Sequence, residues 1–227
     1  MSNLYRMIHS YEGDGTPSAS AKMYGVEVGI VTNNKDDQKL GRVKVMFPRL
    51  PNTPESDWIR VAEPIAGPDR GFYWIPEVQD EVLVAFERGE SSRGYVIGCL
   101  WSAKDKPPKA APNDKNNIRQ IKSRTGHTIT LDDTKGAEKI VIADKSGKRT
   151  LTWDVKAKKW KLEATEGDVE ILAPNGKVKI DCKELEIKAK ENGKLDVGKA
   201  LNVKSGQASH YEAGPSLNIK ASRVNIN

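Results

Sequence analysis

Residues with reactive side chains are few in this chain of 227 residues, and their spacing does not gather them into one site. The histidines are His9, His127 and His210. A metal site needs ligands at short spacing or ligands that the fold brings together, and the sequence indicates neither. No Ser/His/Asp group, Cys/His pair or glycine-rich phosphate loop can be named. We therefore expect a protein that is not an enzyme and that binds no cofactor or metal.

The remaining candidates for chemistry are acid pairs and cysteines. Asp36-Asp37 and Asp132-Asp133 stand where turns are expected, and Asp is favoured in turns because its carboxylate accepts hydrogen bonds from nearby backbone N–H groups. We interpret both pairs as turn residues and not as a general acid and base. Cys99 and Cys182 lie far apart in strand-like segments, and we expect two buried free thiols and no disulfide.

The C-terminal half, from Asn117 to Asn227, repeats one pattern. Very short apolar/polar alternations recur about every 7 to 11 residues, and turns with Gly or Asn separate them. The segment Gly206–Pro215 interrupts the series. We predict that the inward, apolar positions form a trimer core: Ile129, Leu131, Ile140, Ile142, Leu151, Leu162, Val169, Ile171, Val178, Ile180, Leu185, Ile187, Leu195, Val197, Leu201, Val203, Leu217 and Ile219.

Such strands bury too little to fold as a single chain. Ordering one backbone residue costs roughly 1–2 kcal/mol, whereas burying one Val, Leu or Ile returns roughly 1.5–3 kcal/mol. Three copies around a common axis would close a dry core and cover most strand edges. We therefore expect an all-β fold that ends in an intertwined homotrimeric triple-stranded β-helix, a β-prism. Three copies of His127 or His210 could also meet on its axis.

Four parts follow one another along the sequence. Residues 1–23 form a small-residue arm, residues 24–101 a barrel, residues 102–117 a Pro/Lys linker and residues 118–227 the ladder. The barrel is predicted from six strand segments without a helix, a number that fits an OB-like fold. These segments are Val26–Val31, Gly41–Phe47, Trp58–Ala62, Phe72–Ile75, Glu81–Phe86 and Tyr95–Trp101. We expect Phe72, Tyr73, Trp74 and Trp58 to pack in the barrel core and in a trimer collar.

The net charge of +6 is concentrated in the ladder. Residues 1–112 carry 14 Lys/Arg and 15 Asp/Glu, and residues 113–227 carry 23 and 16. One interpretation is a nucleic-acid-binding OB module with a basic β extension. The other is that lysines face solvent on strands that must not pair with neighbours. Because the lysines alternate with acidic residues, we favour the second and expect no nucleic-acid partner.

The N-terminus offers no targeting signal. It lacks the apolar core of a signal peptide, and the chain contains no run of 18 apolar residues. We expect synthesis in the cytoplasm without a signal peptide. A β-helical polysaccharide lyase or hydrolase is a further alternative, but it would need a carboxylate or histidine cluster in a groove, for which the short turns leave little room.

Four barrel segments carry a family pattern in order: Leu40–Pro48, Ser56–Ala62, Gly71–Glu87 and Tyr95–Trp101. Together with the ladder that follows, they resemble the OB-fold domain shared by phage baseplate spike proteins (the baseplate assembly protein V family) and the VgrG proteins of type VI secretion. The resemblance implies a homotrimeric, non-enzymatic central spike in the baseplate of a phage tail or tail-like particle. Such a spike pierces the target cell envelope when the contractile machine fires.

The resemblance also implies partners. We expect a separate baseplate hub protein on the tube side, because the sequence reaches the barrel by Tyr24, and we expect the arm of residues 1–23 to dock to this hub. We expect no lysozyme domain between barrel and ladder. Some short spikes of this kind bind iron at the tip through a His-X-His pattern, which the C-terminus of this sequence lacks. We therefore expect a PAAR-type tip protein to contact the last four residues, Val224, Asn225, Ile226 and Asn227.

Overall fold

A computed structural model describes residues 22–108 and 115–225. Almost all of the expected arm, including His9, lies outside the described residues, as do part of the expected linker and the tip residues Ile226 and Asn227. The chain divides into two compact units, of which the first ends at Glu170 and the second begins at Ile171. Among the described residues we find no helix with the length and apolarity that crossing a membrane requires.

The first unit begins with a closed β-barrel. The strands of this region are β1 (Val26–Asn33), β2 (Arg42–Met46), β3 (Ile59–Val61), β4 (Ala66–Gly67), β5 (Arg70–Gly71), β6 (Glu81–Phe86) and β7 (Gly94–Leu100). Five of them close the barrel in the order β1-β2-β3-β7-β6, and β3 and β7 are its one parallel pair. This is the strand order of an OB fold. A 3-10 turn at Glu87–Gly89 follows β6.

Alternation of apolar residues along β2 and β6 builds the barrel core. In both strands every second side chain is buried, as expected for a sheet with one face turned inward. Each fully buried Val or Phe contributes roughly 1.5–3 kcal/mol. Gly29 is required where β1 crosses β2, because a Cβ there would collide with the Val45 side chain. The core consists of Val31, Val43, Val45, Phe47, Ile59, Val82, Val84, Phe86 and Val96.

One predicted barrel strand is wrong. Residues 72–75 are irregular, and the short hairpin of β4 and β5 precedes them. Gly71 makes this possible: its φ is +150°, and a Cβ at this position would lie 2.6 Å from the carbonyl oxygen of Ile65. The backbone N–H of Phe72 donates to that same oxygen at 2.9 Å. The hairpin therefore closes before the aromatic run begins, and the run has no strand partner.

A five-stranded antiparallel meander follows the barrel within the first unit. Each strand pairs with the next one along the chain. The sequence predicted the last four strands but missed the first, which begins at Ile118. The five strands pair with one another within a single chain, whereas the strands of three chains were expected to intertwine here. The strands are β8 (Ile118–Lys122), β9 (Thr128–Asp132), β10 (Lys139–Ala143), β11 (Arg149–Asp154) and β12 (Lys159–Ala164).

An ion pair joins the meander to the barrel. Arg124, in the turn between β8 and β9, donates from Nη1 to both carboxylate oxygens of Glu77 at 3.0 Å. Glu77 stands in the turn that leads into β6, where its backbone N–H donates to the Asp80 carboxylate at 2.8 Å. The turn between β8 and β9 thereby contacts the barrel through an exposed ion pair.

The second unit has a different character. Its described residues, 171–225, contain no strand, and all of them are exposed. The predicted alternations in this stretch are present in the sequence but have no hydrogen-bonded neighbour strand among the described residues. The unit therefore lacks a core of its own.

Candidate functional site

A row of aliphatic side chains crosses the whole meander. The register pairs Ile121 with Ile129, Ile129 with Ile142, Ile142 with Leu151, and Leu151 with Leu162. Residues directly opposite each other in an antiparallel sheet point to the same face. The five side chains, one from each strand, therefore form one continuous line, which we call the aliphatic row.

A second row runs beside it, two residues away along each strand. Its members in order are Arg119, Leu131, Ile140, Trp153 and Trp160. The rings of the two tryptophans lie 5.9 Å apart with a tilt of 53°. Because side chains two residues apart share a face, the two rows together form an apolar stripe with one charged member, Arg119.

The opposite face of the meander is polar. One of its rows consists of Gln120, Thr130, Val141, Thr152 and Lys161. The side-chain amide of Gln120 donates to Thr130 Oγ1 at 2.8 Å. A sheet with one apolar and one polar face is stable only when another element covers its apolar face.

Nothing within the described chain buries the apolar stripe. Leu151 is half-buried, and the other apolar members are between 39% and 61% exposed. Soluble monomers rarely leave a contiguous apolar surface of this kind in water. Six of the predicted trimer-core residues lie in the stripe: Ile129, Leu131, Ile140, Ile142, Leu151 and Leu162. The structure thus brings these six onto one face, and their role in a trimer stays a prediction.

The other predicted core residues lie beyond the meander. Val169 stands beside the aliphatic row, where it lines a groove together with Leu162, Ile129 and Trp74. The eleven from Ile171 to Ile219 belong to the second unit, where their side chains are between 42% and 85% exposed. The chain does not bring these eleven residues together. Of the predicted tip residues, Val224 and Asn225 are exposed.

Reactive side chains remain dispersed in the described part of the chain. We find no group of three His, Cys, Asp or Glu side chains there that could hold a metal ion. His127 lies in the turn before β9 and not in a strand, and His210 faces Glu212 at 3.5 Å on the surface. Both cysteines are free, as predicted, but the expectation that they are buried is wrong. Partial burial still raises the pKa of the Cys99 thiol.

Asp36 lies in a loop, as predicted, whereas Asp132 is the last residue of β9 and accepts hydrogen bonds from the turn that follows. Asp36 accepts hydrogen bonds from the backbone N–H groups of Gln38 and Leu40, and its carboxylate forms two hydrogen bonds of 2.7 and 2.9 Å with Arg42. The Arg42 guanidinium holds the pKa of Asp36 well below its ordinary value. Asp132 has a lowered pKa because it accepts hydrogen bonds from the side chain and backbone of Thr134. These carboxylates stabilise loops.

The barrel aromatics do not pack in the barrel core, so that part of the expectation is wrong, and their packing in a trimer collar stays a prediction. Phe72 and Trp74 stack on each other at 6.0 Å but stay about half exposed, and Tyr73 is 80% exposed. Trp58 is half-buried on the barrel exterior, with the Lys44 ammonium 5.6 Å from its ring centre. The early close of the β4–β5 hairpin explains the exposure, because the run has no strand to turn its side chains inward.

Sequence reasoning missed four of the ten members of the stripe. Arg119 and Ile121 belong to β8, the strand that was not predicted. Trp153 and Trp160 are not among the predicted core residues, although each lies two residues from one that is. Their spacing of two residues from Leu151 and Leu162 was the signal, since side chains two apart share a face.

These features define an all-β fold in which a barrel with OB strand order is followed by a sheet with one exposed apolar face. Residues 27–101 match the family described as the Type VI secretion system/phage-baseplate injector OB domain. The chain is 28% identical over 138 residues to the Type VI secretion system spike protein VgrG3 of Vibrio cholerae, which covers 56% of this chain. It is 31% identical over 133 residues to the spike protein VgrG1a of Pseudomonas aeruginosa, which covers 52%. The actin cross-linking toxin VgrG1 of V. cholerae matches at 32% over 110 residues, or 45% of the chain.

The chain spans only 14%, 21% and 10% of the lengths of these three relatives. The matches confirm the resemblance to the baseplate spike family. Within the chain, the barrel region at residues 27–101 carries the match to the injector OB domain.

Proposed function

We propose that three copies of this chain form the central spike of a contractile injection machine, in the baseplate of a phage tail or tail-like particle. The spike is mechanical and non-enzymatic. When the machine fires, it concentrates force on a narrow point and breaches the target cell envelope. The apolar stripe of the meander is the observation that carries the proposal, because it needs a partner surface and belongs to a chain related to spike proteins.

Three-fold assembly supplies what one chain lacks. Facing stripes would exclude water from side chains that are about half exposed in the single chain. In residues 171–225, strand pairing between copies would satisfy backbone groups that have no strand partner within the chain. We assign residues 24–101 to the collar and residues 118–227 to the spike. A shaft with continuous pairing around a dry core resists unfolding, as piercing requires.

The partners follow from the family resemblance. A separate hub protein binds on the tube side, and a PAAR-type tip protein contacts the end at Val224 to Asn227. In the proposed trimer, the segment around Val224 of each copy would leave an unpaired strand edge that a capping protein can cover.

One observation favours a second candidate, a nucleic-acid-binding OB module. Phe72, Tyr73 and Trp74 are exposed, as base-stacking side chains must be. The Glu63 carboxylate accepts a hydrogen bond from the Trp74 backbone N–H at 3.4 Å and places negative charge beside this cluster. Fluorescence anisotropy with a labelled single strand tests this candidate. It predicts binding that weakens steeply as the salt concentration rises.

Size-exclusion chromatography with light scattering tests the spike proposal on the full chain. We expect one species of three times the 25.1 kDa chain mass. A well-folded monomer at micromolar concentration contradicts the proposal. A reconstruction of the purified particle then tests its place, which we expect at the centre of the baseplate with the barrel as the collar.

A further inference from the structure

The aliphatic row repeats itself from strand to strand. It places Ile or Leu on each of five strands, which lie about 4.8 Å apart. A second copy that slides by one strand would therefore still meet aliphatic side chains of similar size. Apolar packing along this row alone specifies the alignment between copies only weakly, so an assembly of defined register needs a further element.

Arg119 breaks this repetition. Among the ten positions of the stripe, all in the described part of the chain, it is the one charged residue. Its Nη1 lies 3.0 Å from Asp133 Oδ2, and the same atom donates to the backbone carbonyl of Asn116 at 3.1 Å. In the single chain its side chain is 57% exposed. The ion pair of Arg119 and Asp133 thus lies at the end of the stripe that is formed by β8, the first strand of the meander.

We propose that Arg119, held by Asp133, sets the register in which copies of this chain pack their apolar stripes. This inference rests on the proposed trimer. In the aligned arrangement, each of the three guanidinium groups stays with its own carboxylate at the same level of the spike. In an arrangement shifted by one strand, the guanidinium of one copy would lie against Leu131 of the next, and after a shift by two strands it would lie against Ile140.

The penalty for a shifted arrangement comes from desolvation. An exposed ion pair contributes little, so the pair hardly affects the single chain. Covering a charge with apolar side chains that cannot replace its water is costly. A single polar position in an otherwise apolar interface can select register in this way, because it penalises the alternatives and not because it strengthens the correct arrangement.

Distances between spin labels on the three copies test the proposal in the full chain. Cys99 and Cys182 are replaced by Ser, and Lys145, in the exposed turn between β10 and β11, is replaced by Cys and labelled. Three labels at one level give a single distance between copies. Arg119→Leu should retain the trimer mass but give at least one further distance. Lys122→Leu, which removes a positive charge from the polar face of the same strand, should keep the single distance.

The exchange of charges provides a second test. Arg119→Asp combined with Asp133→Arg retains a pair at the same place and should restore the single distance. The proposal is overturned if Arg119→Leu shows one distance, if it fails to assemble at all, or if the exchange variant stays heterogeneous. A monomeric parent chain would contradict the proposed function itself, and the register role with it.

Discussion

Ile142→Asp tests the apolar stripe most sharply. Ile142 lies in the middle of the meander, and its cross-strand neighbours are Ile129 and Leu151. Because 40% of it is exposed in the single chain, assembly can bury about that fraction, or roughly 1 kcal/mol per copy of the 1.5–3 kcal/mol for a full isoleucine. An unpaired carboxylate in the covered face adds a desolvation penalty of about 3 kcal/mol per copy.

The total is then about 4 kcal/mol per copy and roughly 12 kcal/mol per trimer, which corresponds to a loss of more than eight orders of magnitude in the association constant. We expect the variant to be monomeric at micromolar concentration in light scattering. Val141→Asp is the matched control. Val141 is the adjacent residue, on the polar face between Thr130 and Thr152, and this variant should stay trimeric. A trimeric Ile142→Asp variant would refute the assignment of the stripe as the interface.

Three further predictions concern the barrel and the second unit. Asp36→Asn should lower the thermal midpoint at pH 7, and this effect should shrink as the pH falls. The reason is that the pKa of Asp36 is lower in the folded state than in the unfolded state. The contribution of the Asp36 carboxylate to stability is therefore complete above about pH 5 and is lost as the pH falls toward the folded-state pKa. Equal destabilisation at pH 7 and pH 3 would argue against the Arg42 pair as the cause. Phe47→Ala, at a fully buried position, should cost about 3–5 kcal/mol in denaturant unfolding, and a loss below 1 kcal/mol would show that the core is not where we place it. Val178→Asp or Leu195→Asp should prevent assembly, as measured by light scattering, because each variant places three carboxylates in the proposed trimer core. A heat-resistant trimer of either variant would show that the residues assigned to the inward face are wrong.

The fold was largely predictable wherever side chains alternate strictly. In β2 and β6 every second residue is buried, and the sequence shows an apolar residue at each of these positions. The last four meander strands were predicted for the same reason. β8 was missed because Arg119 interrupts its alternation of apolar and polar residues. A strand was wrongly predicted at residues 72–75 because aromatic residues have a high strand propensity even where no neighbouring strand is available.

The site was predictable only in part. Six stripe residues followed from alternation, but their cross-strand partners did not, because pairing depends on turn lengths that the sequence leaves open. The exposure of Cys99 was missed because alternation along β7 ends at its bulge: the register with β6 shifts after Leu83. A strand pattern alone also cannot distinguish pairing within a chain from pairing between chains, which is why the intrachain meander was not foreseen.

Hydrogen–deuterium exchange of residues 171–225 tests the central claim most directly, namely that this part of the chain gains an interior only when three copies combine. At high concentration, where the trimer forms, we expect slow exchange at the strand segments around Val178, Leu195 and Leu217. Dissociation by dilution, or by Ile142→Asp, should return these amides to the rapid exchange of an unpaired chain. Slow exchange in a monomer, or rapid exchange throughout an intact trimer, would contradict the account.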